Sequence, residues 1–130
     1  MPHMTSEFSL LPPVGDLKDL VVWQVAMDFA TQVYSVTRTY PDEEKFGLRL
    51  QLRRATVSIA SNIAEGHGRI NRREYARFVA IARVSLKEAE TQLLLSERLG
   101  YLSREAIEPV LRTADRLSRL ITGLKRRLRS

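Results

Sequence analysis

Of the eight basic residues that follow Tyr101, seven are arginine, the side chain whose planar fork matches phosphate oxygens two at a time. Arg112, Arg116, Arg119 and Arg126 recur at spacings of four, three and seven, which places them on one helical face, and Lys125, Arg127 and Arg129 add charge at its end. Such a ridge can neutralise the backbone phosphates of RNA or DNA; the plainer alternative is a solvated face whose cations complement a helix C-terminal dipole. The preference for arginine favours phosphate contact. A second set of residues is polar yet follows helical register beside apolar neighbours: Gln51, Ser58, Asn62 and Glu65, with Arg54 next to them, and farther along Ser85, Glu88 and Gln92. The two stripes can face each other across a bundle or across a subunit boundary, where burial requires them to pair. An acid–base pocket built from Glu65, Glu88 and Arg54 is the alternative. Polar residues at seam positions more often fix register and partner choice, so a structural polar network is expected and no catalytic residue is assigned.

Other chemistries lack their residues. There is no cysteine, which removes disulfides, zinc knuckles, iron–sulfur clusters and thiol catalysis. The two histidines, His3 and His67, form no pair at ligand spacing, and no Glu-x-x-His motif of the di-iron bundles occurs. Neither a glycine-rich phosphate loop nor a clear Ser/His/Asp set is present. No metal, no cofactor and no enzymatic activity is therefore expected. With 130 residues, 44% of them hydrophobic and 28% charged, the chain has the profile of one soluble domain, and its net charge of +6 makes polyanions the first partners to consider. No apolar run approaches the roughly 20 residues that span a bilayer, and no signal peptide is visible at the N-terminus. Membrane insertion is not expected, and a cytoplasmic location is.

The charge is unevenly placed. Residues 1–40 sum to −2, Lys18 and Arg38 standing against Glu7, Asp16, Asp19 and Asp28, whereas residues 101–130 sum to +5, eight cations standing against Glu105, Glu108 and Asp115. Residues 1–15, with Pro12-Pro13 and Gly15, read as a flexible leader, and residues 16–130 as the folded domain. From Asp16 to Tyr40 two apolar seams run in parallel. Leu20, Trp23, Met27, Ala30 and Tyr34 make one, and Val22, Ala26, Phe29, Val33, Val36 and Tyr40 make the other. One neighbour cannot cover both, so this helix is expected at a bundle centre or a subunit contact, with Trp23, Met27, Phe29, Val33 and Tyr34 as core or oligomer residues.

Pro41 ends that helix, and Asp42, Glu43 and Glu44 open a second, whose Leu48, Leu52, Ala55, Ile59 and Ile63 face a core up to the Gly66-His67-Gly68 turn. Asn71 with Glu74 is a capping-box pattern for a third helix carrying Val79, Ala82, Leu86, Ala89 and Leu93 to Gly100. Ser103 caps a fourth, with the unbroken seam Ile107, Val110, Ala114, Leu117, Ile121, Leu124 and Leu128, and Pro109 is tolerable there because a first turn needs few amide donors. Four amphipathic helices, short loops and no segment of strand period predict an all-α, antiparallel up-down-up-down four-helix bundle.

The segments Leu20-Val21-Val22-Trp23, Tyr40-Pro41, Glu44-x-Phe46-Gly47-Leu48-x-x-Gln51, Arg53-Arg54-Ala55 and Ser58-Ile59-x-x-Asn62-Ile63-Ala64-Glu65-Gly66 resemble a bacterial four-helix-bundle family. It comprises proteins encoded in intervening sequences of large-subunit ribosomal RNA genes and the accessory variability proteins of diversity-generating retroelements. The resemblance continues through Gly68-Arg69, Tyr75-x-x-Phe78, Ala82-x-x-Ser85-Leu86-x-Glu88 and Leu99-Gly100-Tyr101, over about residues 17–125. It implies a ring-like homopentamer with a basic surface for nucleic acid and, in the retroelement branch, a reverse transcriptase partner. Val84 departs from the pattern, since the family usually has glycine just before that serine; the valine implies a neighbouring helix or subunit standing slightly farther off. The resulting expectation is a non-enzymatic oligomer presenting several copies of an Arg-rich helix to RNA or DNA. The rival is an oligomeric protein-interaction scaffold that binds no nucleic acid.

Overall fold

Three caps decide where the long helices start and stop. Asn71 accepts the Glu74 backbone N–H at 2.9 Å, and Ser103 Oγ accepts that of Ala106 at 3.1 Å, so each satisfies one of the donors that a helix N-terminus leaves free. At the other end of the third helix Gly100 takes φ +82°, a left-handed conformation that suits glycine. The Tyr101 and Gly100 amides then return to the Ser96 and Glu97 carbonyls at 2.9 and 3.0 Å. In the computed structural model, which describes residues 16–69 and 71–129, the four helices are α1 (Val21–Val36), α2 (Leu48–His67), α3 (Arg72–Arg98) and α4 (Arg104–Arg129). No strand occurs among the described residues. The predicted leader, residues 1–15 with His3, lies outside them.

Each helix packs on the next and α4 returns to α1, closing a four-cornered bundle. The pairings run antiparallel: Gln51 meets Gln92 while Ser58 meets Ser85, and Arg104 meets Glu97 while Arg72 reaches the carbonyl of Leu128. Phe29, Val33, Leu52, Ile59, Ile63, Val79, Leu86, Leu93, Ile107, Leu117 and Ile121 are fully buried between the helices, each contributing about 1.5–3 kcal/mol by the transfer of its side chain from water.

The expected boundaries need three corrections. Val36 does not lead straight to Tyr40: the Thr37 hydroxyl donates to the Val33 carbonyl at 2.7 Å, Thr37–Thr39 tightens to a 3₁₀ turn, and Tyr40 is extended ahead of Pro41. Asp42–Glu44 is likewise a separate 3₁₀ turn, and α2 starts only at Leu48. Pro109 lies in the second turn of α4 rather than the first; the Glu105 carbonyl that it leaves without a donor belongs to an exposed residue, where water can serve.

Glu44 ties these pieces together. Its Oε1 accepts the Leu48 backbone N–H at 2.8 Å, and its Oε2 accepts the Tyr101 hydroxyl at 2.8 Å, so one carboxylate caps α2 and holds the α3–α4 turn. The Leu48 amide first, and then the Tyr101 hydroxyl, hold the Glu44 carboxyl below the usual carboxylate range. A depressed folded-state value gives stability that is present above the unfolded value and is lost as pH falls through the folded one. Glu44→Gln is therefore expected to be less stable than the parent at pH 6 and to approach it at low pH, as followed by urea unfolding at a series of pH values. A constant gap across that range would remove the charge argument.

Candidate nucleic-acid interface

At one end of the bundle lie the C-termini of α2 and α4 and the N-termini of α1 and α3. Arg69, Arg72, Arg73 and Arg77 come from the α2–α3 turn and the start of α3, Arg83 from farther along α3, and Lys125, Arg126, Arg127 and Arg129 from α4. Lys18 joins them beside Asp16 and Asp19, and the remaining carboxylates among the described residues of this end, Glu65 and Glu74, are taken by Arg69 at 3.2 Å and Arg77 at 3.3 Å. At the opposite end Arg38, Lys45, Arg49, Arg53, Arg98 and Arg104 balance Asp42, Glu43, Glu44, Glu97, Glu105 and Glu108. The net positive charge is thus polarised along the bundle axis.

Within α4 the predicted ridge divides in two. Arg112, Arg116 and Arg119 are exposed as expected. Arg119, however, is ion-paired to Asp115, and both line a groove with Arg104, Glu108, Leu111 and Arg112, so this half carries its own counterions. Among the described residues the C-terminal half does not: Lys125, Arg126 and Arg129 gather around a cleft with Thr122, and Arg83 closes it from α3. Arg83, missed by the sequence reading, stands far from these residues in the chain and reaches them only through the antiparallel α3–α4 register. Arg127 is set apart, close enough to Tyr75 to oppose the rise that burial imposes on that phenol.

Arg72, mostly buried, donates from Nε to the Leu128 carbonyl at 3.1 Å and from its terminal nitrogen to the Arg127 carbonyl, so the last turn of α4 already has a cationic cap. A charge near a helix end is worth about 0.3–1 kcal/mol. Capping therefore accounts for Arg72 and leaves the exposed side chains of Arg126 and Arg129 available.

The polar stripes of α2 and α3 meet within the single chain. Ser58 Oγ and Ser85 Oγ are 2.8 Å apart, Asn62 donates to the Ser58 hydroxyl at 3.1 Å and to its carbonyl at 2.8 Å, and Gln92 donates to Gln51 at 3.4 Å. Gln51, Arg54, Ala55, Ser58, Ser85 and Glu88 line a shallow groove of about 280 Å³. Two corrections follow. Glu65 is not in the network, because Arg69, one turn on, holds it outside; and Gln51, Arg54 and Glu88 are exposed, so the stripe is a surface feature with a buried edge at Ser85 and Gln92. Arg54 and Glu88 share this groove, and Glu65 is not among its lining residues. Among the described residues no group of three potential metal ligands forms, and no helix is long and apolar enough to cross a membrane.

The two seams of α1 also part. Phe29 and Val33 are fully buried; of the other seam, Leu20 and Trp23 are partly buried against the core, whereas Met27 and Tyr34 are 41% exposed and face outward in the single chain. On α3, Ile81, Val84, Leu94 and Leu95 are also exposed, as is Leu99 just past its end, with Glu88 and Gln92 of the polar stripe lying between the two groups. Val84 is 69% exposed and crowds nothing inside the chain.

The geometry defines a four-helix bundle with one cationic end and an amphipathic lateral groove. The chain belongs to the 23S rRNA-intervening sequence protein family, whose model matches residues 18–123. A solved structure of a protein with unknown function from the S23 ribosomal protein family of Bacteroides thetaiotaomicron superposes with a TM-score of 0.76 at 26% identity, over 84% of this chain and 98% of that one. No curated protein matches the chain.

Proposed function

We propose that this protein is a non-enzymatic, self-associating bundle that binds nucleic acid through phosphate contacts from its cationic end. The observation that carries the reading is the cluster of Arg83, Lys125, Arg126 and Arg129, cations drawn from two helices without a carboxylate among the cleft's lining residues. Phosphate contacts release condensed counterions, so binding is expected to be strong at low salt and to fall steeply as salt rises. With no exposed aromatic platform on α4, base edges go largely unread and sequence preference is weak. RNA is the polyanion named in the family's description.

Self-association is part of the mechanism. One bundle end offers few contacts, whereas several ends presented together convert weak contacts into avidity. The outward α1 residues Met27 and Tyr34, and the groove with its flanking Ile81 and Val84, provide apolar area with polar residues to set register. The expected assembly is a ring of five copies. Native mass measurement combined with retention of a labelled RNA at about 50 mM salt tests both halves. Five copies and retention lost on salt addition are expected; a monomer that retains no RNA or DNA would leave only the scaffold reading without its assembly, and would end this proposal.

A further inference from the structure

The cleft between α3 and α4 is more than a charged patch. It has a volume of about 220 Å³ and is lined by Arg83, Thr122, Lys125, Arg126 and Arg129. Thr122 and Arg126 stand one turn apart on α4, as do Lys125 and Arg129, so α4 presents two adjacent rows while Arg83 faces them from α3. Among the described residues none of the four cations has a carboxylate within 4.0 Å, whereas Arg69, Arg77, Lys87, Arg104 and Arg119 each have one. Cations held one turn apart on a helix repel each other. Gathered around a concavity without an internal counterion, they favour a compact anion of more than one charge.

A phosphodiester inside a strand carries a single charge and brings chain away from both sides, which suits an open ridge. A terminal phosphomonoester carries about −1.5 to −2 at pH 7 and offers three acceptor oxygens on a group that projects from the strand end. Two or three guanidinium forks can engage those oxygens in bidentate fashion, and the Thr122 hydroxyl adds a donor. Resting on the nucleic-acid reading above, we infer that this cleft holds the terminal phosphomonoester of a nucleic-acid strand, so that the protein prefers phosphorylated ends to hydroxyl ends.

The test uses the full chain and one short RNA sequence in three forms: 5′-phosphate, 3′-phosphate, and hydroxyl at both ends. Fluorescence anisotropy at fixed salt is expected to show one phosphorylated form bound about tenfold more tightly than the dihydroxyl form. Arg83→Gln is expected to abolish that preference: the dihydroxyl RNA loses the roughly five- to tenfold that one phosphate contact contributes near 0.1 M salt, and the phosphorylated form loses that and its tenfold advantage as well. Arg98→Gln removes the same charge at the opposite end and is expected to keep the preference. Equal affinity for the three forms, or a preference that survives Arg83→Gln, would overturn the inference while the general nucleic-acid reading stands. Failure to bind any form at low salt would overturn both. Arg83 is exposed, and unchanged circular dichroism and melting in the variant separate loss of contact from loss of fold.

Discussion

Replacing Lys125, Arg126 and Arg129 together by glutamine is expected to lower affinity for RNA or DNA by roughly 10²- to 10³-fold at about 0.1 M salt, because each phosphate contact contributes about 0.7–0.9 to the slope of log K against log salt. The slope itself should fall by about two to three. The parallel replacement of Arg112, Arg116 and Arg119 is expected to do less. Arg119 is held by Asp115, and Arg112 shares its groove with Glu108 and Asp115, so part of that charge is already compensated. All six side chains avoid the seam of α4, whose buried members are Ile107, Val110, Ala114, Leu117, Ile121, Leu124 and Leu128, so both variants should melt close to the parent. Salt titrations of the two triple variants side by side decide the matter. An equal loss in both would return the contact surface to the whole ridge, and no loss in the first would remove the cationic end from binding.

Gly66→Val is expected to destabilise the fold by about 3 kcal/mol, at the upper end of what overpacking costs in a core. A Cβ at Gly66 would stand 2.8 Å from Tyr75 Cδ1, 3.1 Å from Phe78 Cβ and 3.2 Å from the Tyr75 carbonyl oxygen, so relief requires α3 itself to move. Gly123 is the control: a Cβ there meets nothing within 4 Å, and Gly123→Ala should stabilise by about 0.5–1 kcal/mol through helix propensity alone. Urea unfolding of both variants reads the contrast. Because Gly66 sets how closely α2 and α3 converge just before the turn that carries Arg69, Arg72 and Arg73, Gly66→Val should also weaken RNA binding beyond its effect on stability. Tolerance of valine without loss would mean that the close approach is not needed.

Much of this architecture was legible in the chain. The seams of α2, α3 and α4 are buried as read, because three-four spacing reports which residues share a helical face. At α1 the same rule leaves core and subunit contact as alternatives. Trp23, Met27 and Tyr34 share a face as faithfully as Phe29 and Val33 do, but spacing says nothing of whether a neighbour covers it, and within one chain none fully does. Glu65 was misplaced for a related reason: it keeps register with Asn62 and Ser58, yet Arg69 one turn away offers a local partner and draws it to the surface. The division of the α4 ridge had a visible signal, since Glu108 precedes Arg112 and Asp115 precedes Arg119 by four residues each. Arg83 had none in its own segment. Only the antiparallel register of α3 against α4, fixed by Glu97 with Arg104 at one end and Arg72 with Leu128 at the other, brings it to the cleft.

The grip of Arg72 on the Arg127 and Leu128 carbonyls bears on how the cleft discriminates. A closing helical turn ordinarily frays, and charges displayed from a fraying segment respond to total ionic strength more than to shape. Pinned by a guanidinium from the neighbouring helix, the backbone beneath Lys125, Arg126 and Arg129 is expected to be stiff before any ligand arrives, so that docking would forfeit little configurational freedom there. Amide hydrogen exchange in that turn should accordingly be slow, and on the proposal above the spacing of the anion's oxygens, not merely their charge, would become something the protein can measure.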